Sequence, residues 1–255
     1  MICEAIKLGG AQLTIYARDN TPEISARRKY PTVLVIPGGG YGFCSAREGE
    51  PVALAFLAAG CTAAVLRYSA APARHPTQLF EAAAAMAYLR EHAKKYHIDP
   101  KRVFACGFSA GGHLAGMLGT LWKETSQGAR AKPTATILCY PVISSGACAH
   151  AGSFVNLTGG DKALGMRLSL ELRVDTDTAP AFLWATADDA AVPAMNALLY
   201  AGALAKQGIP YALHVFPSGV HGLSLATELT GPVNVEAQAW FGLAMEWVGS
   251  HCARG

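Results

Sequence analysis

The chain has 255 residues, of which 51% are hydrophobic and 15% charged, a composition typical of compact folded proteins that excludes extensive disorder. Its 21 basic and 18 acidic residues are scattered, leave a net charge of +3 and form no basic block of the kind that binds nucleic acid. Seven cysteines without a Cys-x-x-Cys pair predict neither a disulfide framework nor a zinc site, and we expect no metal and no cofactor.

The N-terminal segment predicts a hairpin at the edge of a sheet. Its two runs are Glu4–Leu8 and Gln12–Tyr16, and the glycine pair between them supplies the turn. The first residues lack the charged and apolar regions of a signal peptide, so we expect a cytoplasmic protein.

From Thr32 onward, short apolar runs alternate with longer helical patterns. The predicted strands are Thr32–Ile36, Thr62–Leu66, Val103–Cys106, Thr136–Tyr140, Ala181–Ala187 and Tyr211–Phe216. The predicted helices are Glu48–Ala59, Pro76–Tyr96, Gly111–Trp122, Ala194–Gln207 and Val235–Val248. This alternation predicts one α/β domain, with a mainly parallel sheet and helices on both faces. The longest apolar run, Pro51 to Leu66, is broken by Gly60 and favours a helix and a strand over a membrane span.

A triple glycine, Gly38 to Gly40, follows the first strand of this alternation. It is not a phosphate loop, because no Gly-Lys-Ser/Thr follows, and its spacing is not that of a dinucleotide fingerprint. Consecutive glycines let a backbone approach closely and turn its amides inward. Gly39 and Gly40 are therefore candidate donors of an oxyanion hole.

The stretch from Gly107 to Gly112 is the most informative motif. A Gly-x-Ser-x-Gly between a buried strand and a helix is the nucleophile elbow of α/β-hydrolases, and it predicts that fold. The sharp turn lifts the Ser109 oxygen above the sheet, and the new helix points free N–H groups at a developing oxyanion. Ser109 is the candidate nucleophile, and Ala110 offers a further oxyanion donor.

The segment from Ser144 to Thr178 interrupts the rhythm of strands and helices. It is longer than an ordinary connection and contains one predicted helix near Ala163–Leu172. Because it leaves from the carboxyl end of a strand, where ligands bind in open α/β sheets, we expect a small cap over the site at about residues 144–178. A surface excursion without substrate contact is the alternative.

A serine nucleophile needs a base and a group that orients the base, and in this fold the acid precedes the histidine. Asp188 and Asp189 follow one late strand, and His221 lies in a glycine-containing loop after the next strand. Asp189 is preferred because it begins an Asp-x-x-Val-Pro run, but Asp188 stays open. The other histidines lie in helices, in a strand or at other places in the chain order: His75, His92, His97, His113, His150, His214 and His251.

Together these blocks resemble the α/β-hydrolase esterases, and most of all the branch with small bacterial carboxylesterases and acetyl-xylan-esterase-like enzymes. The similar blocks are Pro37–Tyr41, Arg47-Glu48, Leu66–Tyr68, Gly107–His113, Asp188–Pro193 and Phe216–Leu225. The resemblance implies hydrolysis of short acyl esters, commonly sugar acetates, without a metal. It implies Ser109 as nucleophile, Asp189 as orienting acid and His221 as base. Pro37 stands where the family's His-Gly-Gly-Gly motif has histidine, and the insert has its own composition, so substrate preference does not carry over.

Aromatic residues flank the glycine loop and the serine. Tyr41 and Phe108, with Phe43 beside them, are predicted to contact substrate and to crowd the acyl side, which favours acetyl to butyryl chains. Their alternative role is in the core. The sequence contains no long amphipathic helix that could serve as a lid, which argues against a lipase that works at an oil interface.

Other functions remain open on the sequence. An amidase is compatible with the same three residues, and so is a peptidase of the prolyl-oligopeptidase kind, although such peptidases carry a large extra domain for which 255 residues leave no room. A non-catalytic receptor on the same scaffold is the third alternative. The expected partner is a small ester, with no nucleic acid and no membrane; a homo-oligomer is compatible with the sequence, but no feature shows one.

Overall fold

Eight strands form one sheet in the computed structural model, which describes residues 1–252. The strands are β1 (Ile2–Leu8), β2 (Ala11–Ala17), β3 (Tyr30–Ile36), β4 (Thr62–Arg67), β5 (Ile98–Phe108), β6 (Thr136–Cys139), β7 (Ala181–Thr186) and β8 (Tyr211–Phe216). They lie in the order β1-β2-β4-β3-β5-β6-β7-β8. β2 pairs antiparallel with β1 and β4, and all other pairs are parallel. The predicted fold class and the edge hairpin are therefore confirmed.

Residues 1–252 form seven α-helices. They are α1 (Glu50–Ala58), α2 (Thr77–Glu91), α3 (Ala110–Leu121), α4 (Ala151–Thr158), α5 (Lys162–Arg167), α6 (Met195–Lys206) and α7 (Val235–Cys252). α2 is shorter than predicted, because the chain turns after Glu91 to bring Tyr96 and Ile98 into the core. The segment at residues 144–178 contains α4, which the sequence did not predict, and its predicted helix is divided into α5 and a short 3-10 helix, Leu170–Leu172.

Alternation along the strands divides the core into two layers. In β3, Leu34 and Ile36 face one cluster with residues of α2, α3 and α6, whereas Val33 and Val35 face a second cluster with α1 and α7. Side chains of a strand point alternately to opposite faces, so a central strand covered on both sides must be apolar throughout. Because the parallel strands point the same way, the loops after β3, β5, β7 and β8 meet at one rim of the sheet.

Candidate active site

The turn between β5 and α3 holds Ser109 in a strained conformation. Ser109 has φ 53° and ψ −118°, outside the regions that side-chain-bearing residues favour. A Cβ on Gly107 would lie 2.1 Å from the carbonyl oxygen of Gly111, and one on Gly111 would lie 2.2 Å from the carbonyl oxygen of Ile36. Residue 107 must therefore be glycine for the turn to close on itself, and residue 111 must be glycine for the turn to pack against the end of β3.

Three predicted residues lie in one hydrogen-bonded chain at this rim. His221 Nε2 is 2.8 Å from Ser109 Oγ, and His221 Nδ1 is 2.6 Å from Asp189 Oδ2. The side chain of Asp189 is only 1% exposed, and its other oxygen accepts two backbone N–H groups of the following turn. Asp188 instead accepts the N–H of Gly219 at 2.7 Å and so holds the loop before the histidine. Of the two aspartates, the structure places Asp189 against the imidazole ring.

The glycine loop runs beside the serine. Gly39 and Gly40 have φ of +118° and +61°, which favour glycine, and both line a cleft with Ser109. Among residues 1–252, the N–H groups of Gly39, Gly40 and Ala110 donate to no other protein group. A Cβ on Gly38 would lie 3.0 Å from the Ser109 Cβ, which shows how closely this loop approaches.

A buried carboxylate that the sequence did not predict connects this loop to the histidine. Glu48 is 3% exposed; its Oε2 accepts the N–H of Gly38 at 2.9 Å and its Oε1 accepts the O–H of Tyr140 at 2.7 Å. The Tyr140 oxygen also accepts the N–H of Ser224, and its ring packs edge-on against His221 at 5.1 Å. Burial, together with the charge of Glu48, raises the pKa of Tyr140 well above its usual value, so the phenol stays protonated and donates.

The cleft over Ser109 has a volume of about 420 Å³ and is closed on one side by the segment at residues 144–178. His150, whose chain position had set it aside, lies in this cleft. Its Nδ1 accepts the N–H of Ser153 and caps α4, which leaves Nε2 to carry the proton of the neutral ring. Burial lowers the pKa of His150, and nearby His221 lowers it further. Asn156 of α4 donates to the carbonyl oxygen of Gly40 at 2.9 Å.

The structure does not place Tyr41 and Phe108 among the side chains that line the cleft. Tyr41 is 1% exposed and bonds His113 at 2.8 Å, and Phe108 is fully buried with its ring against Trp240. Phe108 is the last residue of β5, and strand alternation directs its side chain into the core beside α7. Only the next residue, Ser109, lies in the turn that faces the cleft. Phe43, 62% exposed, is the aromatic residue that lines the cleft.

The fold and this arrangement of serine, histidine and carboxylate define an α/β hydrolase. Residues 79–242 match the prolyl oligopeptidase family and residues 16–137 match the BD-FAE family. The chain belongs to the prolyl oligopeptidase family, within the α/β-hydrolase superfamily of enzymes. Residues 1–252 contain no cluster of three metal-ligating side chains, and none of their helices is both long and apolar enough to cross a membrane.

Several relatives are esterases. An acetyl ester-xyloside bifunctional hydrolase from Caldicellulosiruptor lactoaceticus is 39% identical, with a TM-score of 0.84 over 94% of this chain and 88% of its own. A carboxylesterase from Lactobacillus plantarum is 30% identical, with a TM-score of 0.86 over 98% of both chains. An acetylxylan esterase from Xylanibacter ruminicola is 28% identical over 86% of this chain. An endo-1,4-beta-xylanase B from Butyrivibrio fibrisolvens is 38% identical over 78% of this chain. The chain spans only 45% and 33% of the length of the last two proteins.

Proposed function

We propose that the protein is a serine carboxylesterase that removes short acyl groups, acetyl foremost, from the hydroxyl groups of sugars. The observation that carries the proposal is the continuous contact from Ser109 Oγ through His221 to the buried Asp189. Beside it lie backbone N–H groups for which residues 1–252 provide no acceptor. A nucleophile, a base, an orienting acid and an oxyanion site are the parts that acyl transfer requires.

In the acylation step, His221 Nε2 takes the proton of Ser109 as Oγ attacks the ester carbonyl carbon. Asp189 holds the ring through Nδ1 and stabilises the imidazolium that forms. The carbonyl oxygen becomes an oxyanion, for which Gly39, Gly40 and Ala110 supply unpaired N–H groups. The imidazolium then gives its proton to the alcohol oxygen as the ester bond breaks, which leaves an acyl group on Ser109.

The deacylation step repeats this chemistry with water. His221 removes a proton from water as the water oxygen attacks the acyl carbon, and the proton passes to Ser109 Oγ when the acid leaves.

Support for an acetylated sugar comes from the relatives, whose names include acetylxylan esterase and acetyl ester-xyloside hydrolase. The cleft also offers polar groups that suit a hydroxylated substrate. The Nε2–H of His150 remains available for donation, because Nδ1 is engaged in the helix cap. Phe43 provides an apolar surface on which a sugar ring or a short acyl chain can pack.

The deciding experiment measures hydrolysis of 4-nitrophenyl acetate and of acetylated xylo-oligosaccharides by wild type and Ser109→Ala. We expect turnover of both, with a loss on the order of 10⁴-fold or more in the variant. A series of 4-nitrophenyl esters should favour acetyl to butyryl chains. Near-normal activity of Ser109→Ala would refute the mechanism, and a preference for acyl chains of about ten carbons would refute the short-acyl specificity.

A peptidase or amidase is the second candidate, favoured by the match of residues 79–242 to the prolyl oligopeptidase family. The same residues can cleave an amide, provided that the site protonates a poorer leaving group. Matched 4-nitrophenyl acetate and proline 4-nitroanilide peptides separate the two activities. Turnover of the anilides alone would favour the peptidase. If neither the ester nor the anilides are hydrolysed and a fluorophosphonate does not label Ser109, a non-catalytic scaffold is favoured.

A further inference from the structure

A second groove adjoins the active-site cleft on the side where β2, β4 and α1 meet. It has a volume of about 450 Å³, large enough to hold a sugar ring. Ser45 and Arg47 line both the groove and the cleft, so the two spaces are neighbours across these side chains. Apolar groups such as Val65 and Pro37 also line the groove.

In the part of the chain that the structure describes, two cationic side chains of this groove have no acidic partner. Arg47 and Arg67 are both exposed, and neither forms an ion pair among residues 1–252. Unpaired guanidinium groups that share a concave surface attract an anion, and their planar N–H forks match a carboxylate.

The position of Arg47 is fixed by the loop that carries the histidine. Its backbone carbonyl accepts the hydroxyl of Ser224, and its guanidinium lies against Gly222, where a Cβ would come within 2.4 Å of Nη2. Gly222 directly follows His221 in the chain. A positive charge therefore lies between the proposed catalytic base and the second groove.

The other ionisable groups of the groove reduce this charge only in part. Glu50 lines the same surface, and its Oε1 accepts the O–H of Tyr16 at 3.2 Å. Burial, aided by the charge of Glu50, raises the pKa of Tyr16 to about 12, so Tyr16 is neutral. Two arginines against one glutamate leave the groove positive.

We propose that this groove binds a carboxylate on the alcohol portion of the substrate, so that the enzyme favours esters of acidic sugars such as uronates. The proposal rests on the esterase function, because the groove adjoins the cleft in which the ester is cleaved. Arg47 and Arg67 are the residues that recognise the carboxylate, and Glu50 opposes them.

The test compares two probes of nearly equal shape, 3-acetoxybenzoate and 3-acetoxybenzamide, which differ in the charge of the alcohol portion. We expect wild type to hydrolyse the carboxylate probe with a kcat/KM about tenfold higher, and high salt should reduce this ratio. Arg47→Met and Arg67→Met should each bring the ratio toward one, whereas Glu50→Gln should raise it. The ratio is the readout, so a general loss of activity in a variant cancels.

Arg27→Met is the matched control, because it removes an exposed arginine just before β3, at the opposite end of the sheet from the site. Its ratio should equal that of wild type. A wild-type ratio near one, or equal ratios in wild type and both groove variants, would overturn the proposal.

Binding without turnover separates this proposal from the esterase function. Calorimetry on Ser109→Ala should show tighter binding of glucuronate than of glucuronamide, and Arg47→Met in the same background should remove the difference. If this preference is present while no ester is hydrolysed, the carboxylate site stands and the esterase function fails. If esters are hydrolysed but the two sugars bind equally, the esterase function stands and the carboxylate site fails.

Discussion

Replacing Glu48 by glutamine tests the contact that holds the glycine loop and the histidine side of the cleft together. The carboxylate accepts two donors, the N–H of Gly38 and the O–H of Tyr140, and it is buried. A glutamine side chain has one oxygen and one NH₂ group, so one donor must then face another donor. An unsatisfied buried donor costs about 1–3 kcal/mol, and we expect the free energy of unfolding to fall by that amount.

The same substitution should also reduce turnover, because Gly38 immediately precedes the proposed oxyanion donors. A small displacement of such donors weakens their contact with the oxyanion, and we expect kcat for 4-nitrophenyl acetate to fall by roughly tenfold or more, with little change in KM. Glu246→Gln, on an exposed position of α7, is the matched control and should leave both quantities unchanged. Wild-type stability and wild-type kcat in Glu48→Gln would refute this reasoning.

Three further predictions test the site and its supports. Asp189→Asn should lower kcat by about 10⁴-fold, because the imidazole loses its orienting carboxylate, whereas Asp188→Asn should cost far less; equal losses in an ester assay would contradict the geometry. Burial lowers the pKa of His113 from 6.5 to about 4, so the unfolded chain binds this proton first and stability falls by about 3 kcal/mol as the pH drops from 6.5 to 4. Denaturant titrations across this range should show a smaller decline in His113→Gln, and a decline equal to that of wild type would contradict the prediction. Asn156→Leu should lower kcat several-fold, because the Gly40 carbonyl loses its donor; an unchanged kcat would show that the loop needs no support from α4.

Local patterns were sufficient to predict the sheet and the elbow. Short, continuously apolar runs separated by longer segments with a helical pattern identified the parallel strands, since a strand covered on both faces must be apolar along its length. The elbow glycines were predictable because only glycine allows the close approach between Gly111 and the end of β3. The boundaries were less accurate: β5 begins at Ile98, several residues before the predicted Val103, because it pairs with Tyr30 across the sheet.

The parts that the sequence did not predict depend on long-range contacts. Glu48 belongs to a block that resembles the esterases, but nothing in the sequence gives it a role. Its burial becomes clear only from its contacts with Gly38 and with Tyr140, 92 positions later. His150 was set aside by its place in the chain, yet the folding of α4 over the glycine loop brings it into the cleft. Tyr41 and Phe108 are adjacent to functional backbone, but adjacency in sequence does not decide which way a side chain points.

The segment at residues 144–178 is joined to the proposed catalytic backbone by two hydrogen-bonded routes. Asn156 supports the Gly40 carbonyl directly. His113, on the helix after the elbow, bonds Tyr41 through one ring nitrogen and the carbonyl of Leu168 through the other. An exchange of this segment for that of a relative would therefore change the shape of the cleft and the support of the glycine loop at once. Engineering of new substrate preferences should keep Asn156 and the backbone at Leu168 while the remaining positions are varied.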